Sequence, residues 1–128
     1  MENEAPGNKG KQEYQILERS YQWSLKVIEL CYKLPDNKLG KILFNQLVRS
    51  STSVASNLVE GSSGLSKKDF LKCFGIALKE CNESKLWLRY IVDTKIIGIN
   101  CLSSIVQEAV EISKIIGSII VNTKRNMK

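Results

Sequence analysis

Glu60, Glu80 and Glu83 are the side chains whose type and spacing come nearest to acid–base chemistry in this chain. Glu80 and Glu83 stand three residues apart, which puts them on neighbouring parts of one helix face. Chemistry on a substrate also needs a partnered nucleophile or base. Histidine is absent, which removes Ser-His-Asp and Cys-His arrangements, the H-E-x-x-H zinc pattern and the Glu-x-x-His ligands of di-iron bundles. There is no glycine-rich phosphate loop. Cys31, Cys73, Cys81 and Cys101 form no C-x-x-C pair and no short metal-binding spacing. The expectation is a protein that is not an enzyme and uses no cofactor or metal. Its glutamates pair with lysines or cap helices, and its cysteines act as small hydrophobes.

The elements that position these groups are helices. The 128 residues suit one domain, and only Pro6 and Pro35 interrupt the chain. Pro35-Asp36-Asn37, Gly61-Ser62-Ser63-Gly64 and Ile97-Gly98-Ile99-Asn100 break the apolar periodicity. Ser66, three residues before Asp69, resembles a capping box. Four helices follow, roughly 13–34, 38–60, 66–96 and 101–122, joined by short loops that make sequential helices antiparallel. The expected fold is all-α, an up-down-up-down four-helix bundle over residues 13–122. A flexible, polar N-terminal tail (residues 1–12) is expected before it and a basic tail (residues 123–128) after it. Residues 1–12 lack the apolar stretch of a secretory signal. Glu108, Glu111 and Lys114 interrupt the most apolar region, so no membrane span is expected; the expected location is cytoplasmic.

Each helix carries more apolar surface than one face needs. At about 100° per residue, Leu17, Tyr21, Leu25, Ile28 and Tyr32 form one stripe of the first helix, and Ile16, Trp23, Val27, Leu30 and Leu34 form another. The second helix pairs Leu39, Leu43, Leu47, Val54 and Leu58 with Phe44, Val48, Ala55 and Val59. A helix on the surface of a monomer needs a single apolar face, and a second one exposed would exceed the patch that monomers usually show. Self-association is the expectation, with Trp23, Val27, Leu30, Phe44 and Trp87 as its contacts. A broad core is the alternative.

The net charge is +6 and the isoelectric point about 9.2. On the third helix Lys68, Lys72 and Lys79 fall on one strip, with Tyr90 further along the same side. Together with Arg49, Lys124 and Arg125 they form the candidate nucleic-acid-binding set, because a positive strip repeated around an oligomer suits a phosphate backbone. A solvated helix face is the plainer reading of the same lysines.

The second helix and its exit read Gln46-Leu47-Val48-Arg49-Ser50-Ser51-Thr52-Ser53-Val54-Ala55-Ser56-Asn57-Leu58-Val59-Glu60-Gly61. Serine and threonine are unusual inside a helix. Small groups at Ser50, Ser53 and Ser56 admit close approach of a neighbouring helix, while Asn57 and Glu60 are expected to secure the helix end and the loop at Gly61. This stretch, with Ser66–Leu71, Ile76–Glu80, Glu83 and Trp87-Leu88, resembles the 23S rRNA intervening-sequence protein family over roughly residues 14–121.

The resemblance implies a homopentameric ring of four-helix bundles, whose members are encoded in insertions within bacterial large-subunit rRNA genes. It is shared more loosely, through Trp87–Tyr90 and Ile116–Ile120, with the accessory variability determinant of diversity-generating retroelements. That protein is basic, binds nucleic acid and associates with a reverse transcriptase. The functional expectation is a ring that binds structured RNA or an RNA–DNA intermediate. The alternative is a protein-interaction scaffold, for example an accessory subunit docking a reverse transcriptase.

Overall fold

The computed structural model describes residues 7–98, 100 and 102–127, with side-chain environments from Gly10 onward. It contains four helices, α1 (Gly7–Cys31), α2 (Lys38–Ser62), α3 (Lys67–Thr94) and α4 (Leu102–Arg125). Each packs against its neighbours in chain order, and α1 closes the square against α4. Cross-helix contacts show the antiparallel sense. Trp23 and Arg19 of α1 meet Ile105 and Glu108 of α4, and Ser50 of α2 meets Ser84 of α3 while Gly61 of α2 lies against Phe74 of α3. The architecture is the up-down-up-down bundle expected from periodicity.

Local chemistry sets the helix ends. Pro35 disfavours helical geometry at Leu34, so α1 stops at Cys31 and tightens through bonds from Lys33 N–H to Leu30 O and from Leu34 N–H to Cys31 O. Asn37, in extended geometry, begins α2 by accepting the Gly40 N–H at 2.8 Å. Ser66 does the same for α3, accepting the Asp69 N–H at 3.1 Å, with the Asp69 carboxylate in the favourable first turn.

Several boundaries differ from the sequence reading, among them the end of α1 at Cys31, expected at 34. α1 starts at Gly7, so residues 7–12 are helix and not tail; Gln12, exposed, borders a cavity of about 280 Å³ together with Asn122 and Arg125 of α4. α4 runs through Arg125 because Ile119 and Thr123 prolong its core stripe; Thr123 is buried and donates to Ile119 O at 2.7 Å. α3 ends two residues early, where Lys95 takes the left-handed conformation at φ 53°. Residues 1–6, Ile99, Cys101 and Lys128 lie outside the described residues, and with them part of each expected tail, one residue of the expected break before α4 and one of the four cysteines.

The core is continuous through all four helices, from Ile16, Trp23, Val27 and Leu30 to Leu43, Leu47, Val54, Leu58, Phe74, Ala77, Cys81, Leu88, Ile91 and the α4 stripe of Leu102, Ile105, Ala109, Ile112, Ile116 and Ile119. This reverses the expected roles of the two α1 stripes. Trp23, Val27 and Leu30 are 1%, 0% and 2% exposed within a single chain, so they have no surface left for another copy. Trp23 also donates its indole N–H to Ile105 O at 3.1 Å, which satisfies the polar edge of a buried ring. The outward stripe is the other one, with Tyr21 and Tyr32 exposed and Leu25 and Ile28 beside them. Periodicity detects two stripes but cannot rank them, and the indole's carbonyl partner is 82 residues away. Phe44 and Trp87 are half-buried against the core margin.

Candidate nucleic-acid interface

Lys68, Lys72 and Lys79 project from the face of α3 opposite its buried stripe of Phe74, Ala77, Cys81, Ser84, Leu88 and Ile91. All three are exposed. At 1.5 Å of rise per residue the strip from Lys68 to Lys79 runs roughly 16 Å. Leu86 and Tyr90 continue it, both about half exposed.

A second basic group gathers at the adjoining end of the bundle. Lys67 at the start of α3 donates to Asn126 O just beyond α4, at 3.4 Å. Lys124 and Arg125, in the last turn of α4, therefore stand near Lys67 and Lys68. They lie on a helix rather than on the expected free tail, and both are exposed. Part of their role is local, since cations at a helix C-terminus contribute about 0.3–1 kcal/mol to its stability.

Arg49 does not join this surface. Its guanidinium bridges α2 to α3, binding Glu80 at 3.1 Å and also Glu83. With both forks held by carboxylates, Arg49 is a helix-pairing residue and not the phosphate ligand expected from its charge. The same geometry accounts for Glu80 and Glu83. Glu83 also accepts the Trp87 indole N–H at 3.2 Å. Among the described residues no group of three or more His, Cys, Asp or Glu is placed to hold a metal, and no helix is long and apolar enough to cross a membrane.

The serine-rich stretch of α2 is divided among three environments. Ser50 is fully buried and bonds Ser84 of α3 through hydroxyls 2.7 Å apart. Asn57 donates to Ser53, to its carbonyl at 2.9 Å and its hydroxyl at 3.1 Å, within its own helix. It does not close the helix end. Ser63 does that, through its backbone N–H and its hydroxyl, both directed to Val59 O. Glu60 is exposed. Gly61 is inside α2 and buried rather than in a loop, and a Cβ there would sit 2.9 Å from both Cys73 Cβ and Phe74 Cδ1. It is a point of close approach between α2 and α3.

The outward stripes of α1 and α2 meet in an open apolar groove of about 420 Å³, lined by Tyr21, Leu25, Ile28, Thr52, Ala55 and Val59 among others. Sequence reasoning found all of these but Thr52 as stripes. It missed the bidentate Arg19–Glu108 pair between α1 and α4, at 2.8 and 2.7 Å, whose hydrogen bonding raises the Arg19 guanidinium above its usual value. No short-range signal links residues so far apart. With both side chains partly exposed, the pair contributes at most about 1 kcal/mol.

Burial pushes the Cys31 thiol up to about 12 and the Cys81 thiol up to about 11. Native chain at pH 8 is therefore expected to leave both unreacted with iodoacetamide, while denatured chain is modified at both; peptide mass spectrometry checks this. These thiols stay protonated in the folded state after unfolded-chain thiols, at their ordinary value of 9.0, have ionised. Their contribution to stability is complete below pH 9 and is lost as pH rises towards 11 and 12.

The fold has a counterpart of known structure. A protein of unknown function from the S23 ribosomal protein family of Bacteroides thetaiotaomicron VPI-5482 matches with a TM-score of 0.78 and 29% sequence identity, over 85% of this chain and 97% of that one. No curated protein matches. The family model described as 23S rRNA-intervening sequence protein matches residues 12–118, from the early turns of α1 well into α4, and the chain belongs to that family.

Proposed function

We propose that this chain is a non-catalytic, self-associating bundle that binds RNA through the outward face of α3 and the basic end beside it. The observation that carries the reading is the exposed lysine strip Lys68, Lys72 and Lys79, with Lys67, Lys124 and Arg125 near its start. Membership of a family named for an rRNA intervening sequence supports RNA over other polyanions. Lysine-to-phosphate contacts position a nucleic acid without reading its bases, so structured RNA or an RNA–DNA hybrid would be held with little sequence preference. Nuclease-treated chain, tested against a labelled RNA hairpin by fluorescence anisotropy, is expected to bind at low salt; absence of binding there overturns the reading.

Self-association is supported by the α1–α2 groove, an open surface lined mainly by the apolar side chains of Tyr21, Leu25, Ile28, Ala55 and Val59. Light scattering is expected to give a mass several times 14.4 kDa, the pentamer that the family resemblance implies. Val59, 57% exposed in that groove, is the residue to test. Val59→Glu is expected to reduce the mass to one chain with helix content unchanged by circular dichroism. A wild-type species of one-chain mass at micromolar concentration rules the assembly out.

The same groove favours a second reading, a scaffold that docks a protein such as a reverse transcriptase. Recovery from the native host of one defined protein, bound after nuclease treatment and lost in Val59→Glu, would favour it.

A further inference from the structure

Tyr90 and Trp87 stand at the far end of the lysine strip, with ring centroids 5.9 Å apart and planes tilted by 30°. Tyr90 is 48% exposed and Leu86, beside it, 46%. These two line a shallow pocket of about 260 Å³ with Arg89 and Asp93. Trp87 is fixed from behind: Glu83 accepts its indole N–H, and Arg49 holds Glu83. A tyrosine on a helix surface would ordinarily swing freely; this one has a braced aromatic neighbour.

The charges around the rings suit a polyanion. The carboxylates close to them are each matched by an arginine, Glu83 by Arg49 and Asp93 by Arg89 at 3.6 Å. Towards the start of α3, the same outward strip carries Lys79, Lys72 and Lys68, all exposed. From Lys72 to Tyr90 the helix rises roughly 27 Å, the length of several nucleotides.

We infer that Tyr90, braced by Trp87, is a stacking platform for an unpaired nucleobase, and that the lysines of α3 track the backbone of the same single strand. This rests on the nucleic-acid reading above and narrows it to single-stranded segments, such as a loop or a free end. Every base offers a flat face, so the platform binds without sequence preference. In a duplex the bases are already stacked on one another and the ring gains nothing.

The test uses full-length chain and two labelled probes of equal length, on the order of twelve nucleotides to span the strip. One is oligoadenylate RNA; the other is an abasic oligodeoxynucleotide with the same number of phosphates. Tyr90→Ala is expected to weaken oligoadenylate binding about tenfold, to leave abasic binding unchanged and to leave Tyr90→Phe like wild type. Titration with oligoadenylate is expected to quench Trp87 emission, Trp23 being buried. Equal affinity of Tyr90→Ala and wild type for oligoadenylate overturns the platform while leaving the lysine reading intact. Failure of both probes to bind wild type overturns both. A lower assembly mass for Tyr90→Ala assigns this face to contact between copies and overturns the platform.

Discussion

Replacing Lys68, Lys72 and Lys79 together by glutamate is expected to weaken RNA binding by about a hundredfold or more. One unit-charge pair at 4 Å is worth about 1 kcal/mol in water. The triple change removes three attractions and adds three repulsions, and even after screening by salt several kcal/mol remain. About 2.7 kcal/mol already makes a hundredfold. All three side chains are exposed, and none is in an ion pair among the described residues, so thermal stability should hardly move. A control separates the strip from net charge. Lys26, Lys33 and Lys114 are also exposed, and glutamate at those three positions changes the total charge equally but leaves the α3 face intact. Anisotropy with one RNA hairpin should show the large loss for the first triple variant alone.

The second large effect is on folding. Gly40→Ala is expected to destabilise the chain by about 3 kcal/mol or more, a large part of the roughly 5–15 kcal/mol that holds a domain together. An added Cβ would lie 1.9 Å from the Pro35 carbonyl oxygen and 3.2 Å from Asn37 Oδ1. The first of these is backbone, and it is not free to retreat: Pro35 O accepts the Asn37 N–H at 2.9 Å, while Asn37 caps α2 through Gly40 N–H. The substitution therefore damages the turn and the cap together. Gly75 and Gly117 provide the contrast, since nothing lies within 4 Å of a Cβ at either position. Alanine there should stabilise by roughly 0.5–1 kcal/mol, as in an open helix interior. Urea denaturation, with midpoints compared at equal slope, distinguishes the outcomes.

Much of the fold was legible because the signals are local. The start of α3 follows from Ser66, whose side chain caps its own third following residue, the break at Pro35-Asp36-Asn37 marks the start of α2, and the α4 stripe from Leu102 to Ile119 is wholly core. What was not legible depends on partners distant in sequence. Trp23 looked like an interface anchor because tryptophan often is one; the Ile105 carbonyl that takes its N–H makes it a core residue. Arg49 looked like a phosphate ligand because charge can be read from a sequence, while its capture by Glu80 and Glu83 across a helix seam cannot. Gly61 followed by serines looked like a loop, yet it lies inside α2, where the close approach of Phe74 leaves no room for a Cβ. The lysine strip was legible, since exposure on a helix follows from its angle to the buried stripe.

The most direct measurement is the affinity of the wild-type chain for one RNA hairpin as a function of salt concentration. At least three lysine–phosphate contacts predict that the logarithm of the association constant falls with the logarithm of salt at a slope of about −2 or steeper. The Lys68, Lys72 and Lys79 triple glutamate variant should show a much shallower slope. An affinity that does not change with salt, or an equal slope in the triple variant, would contradict a backbone-binding surface on α3.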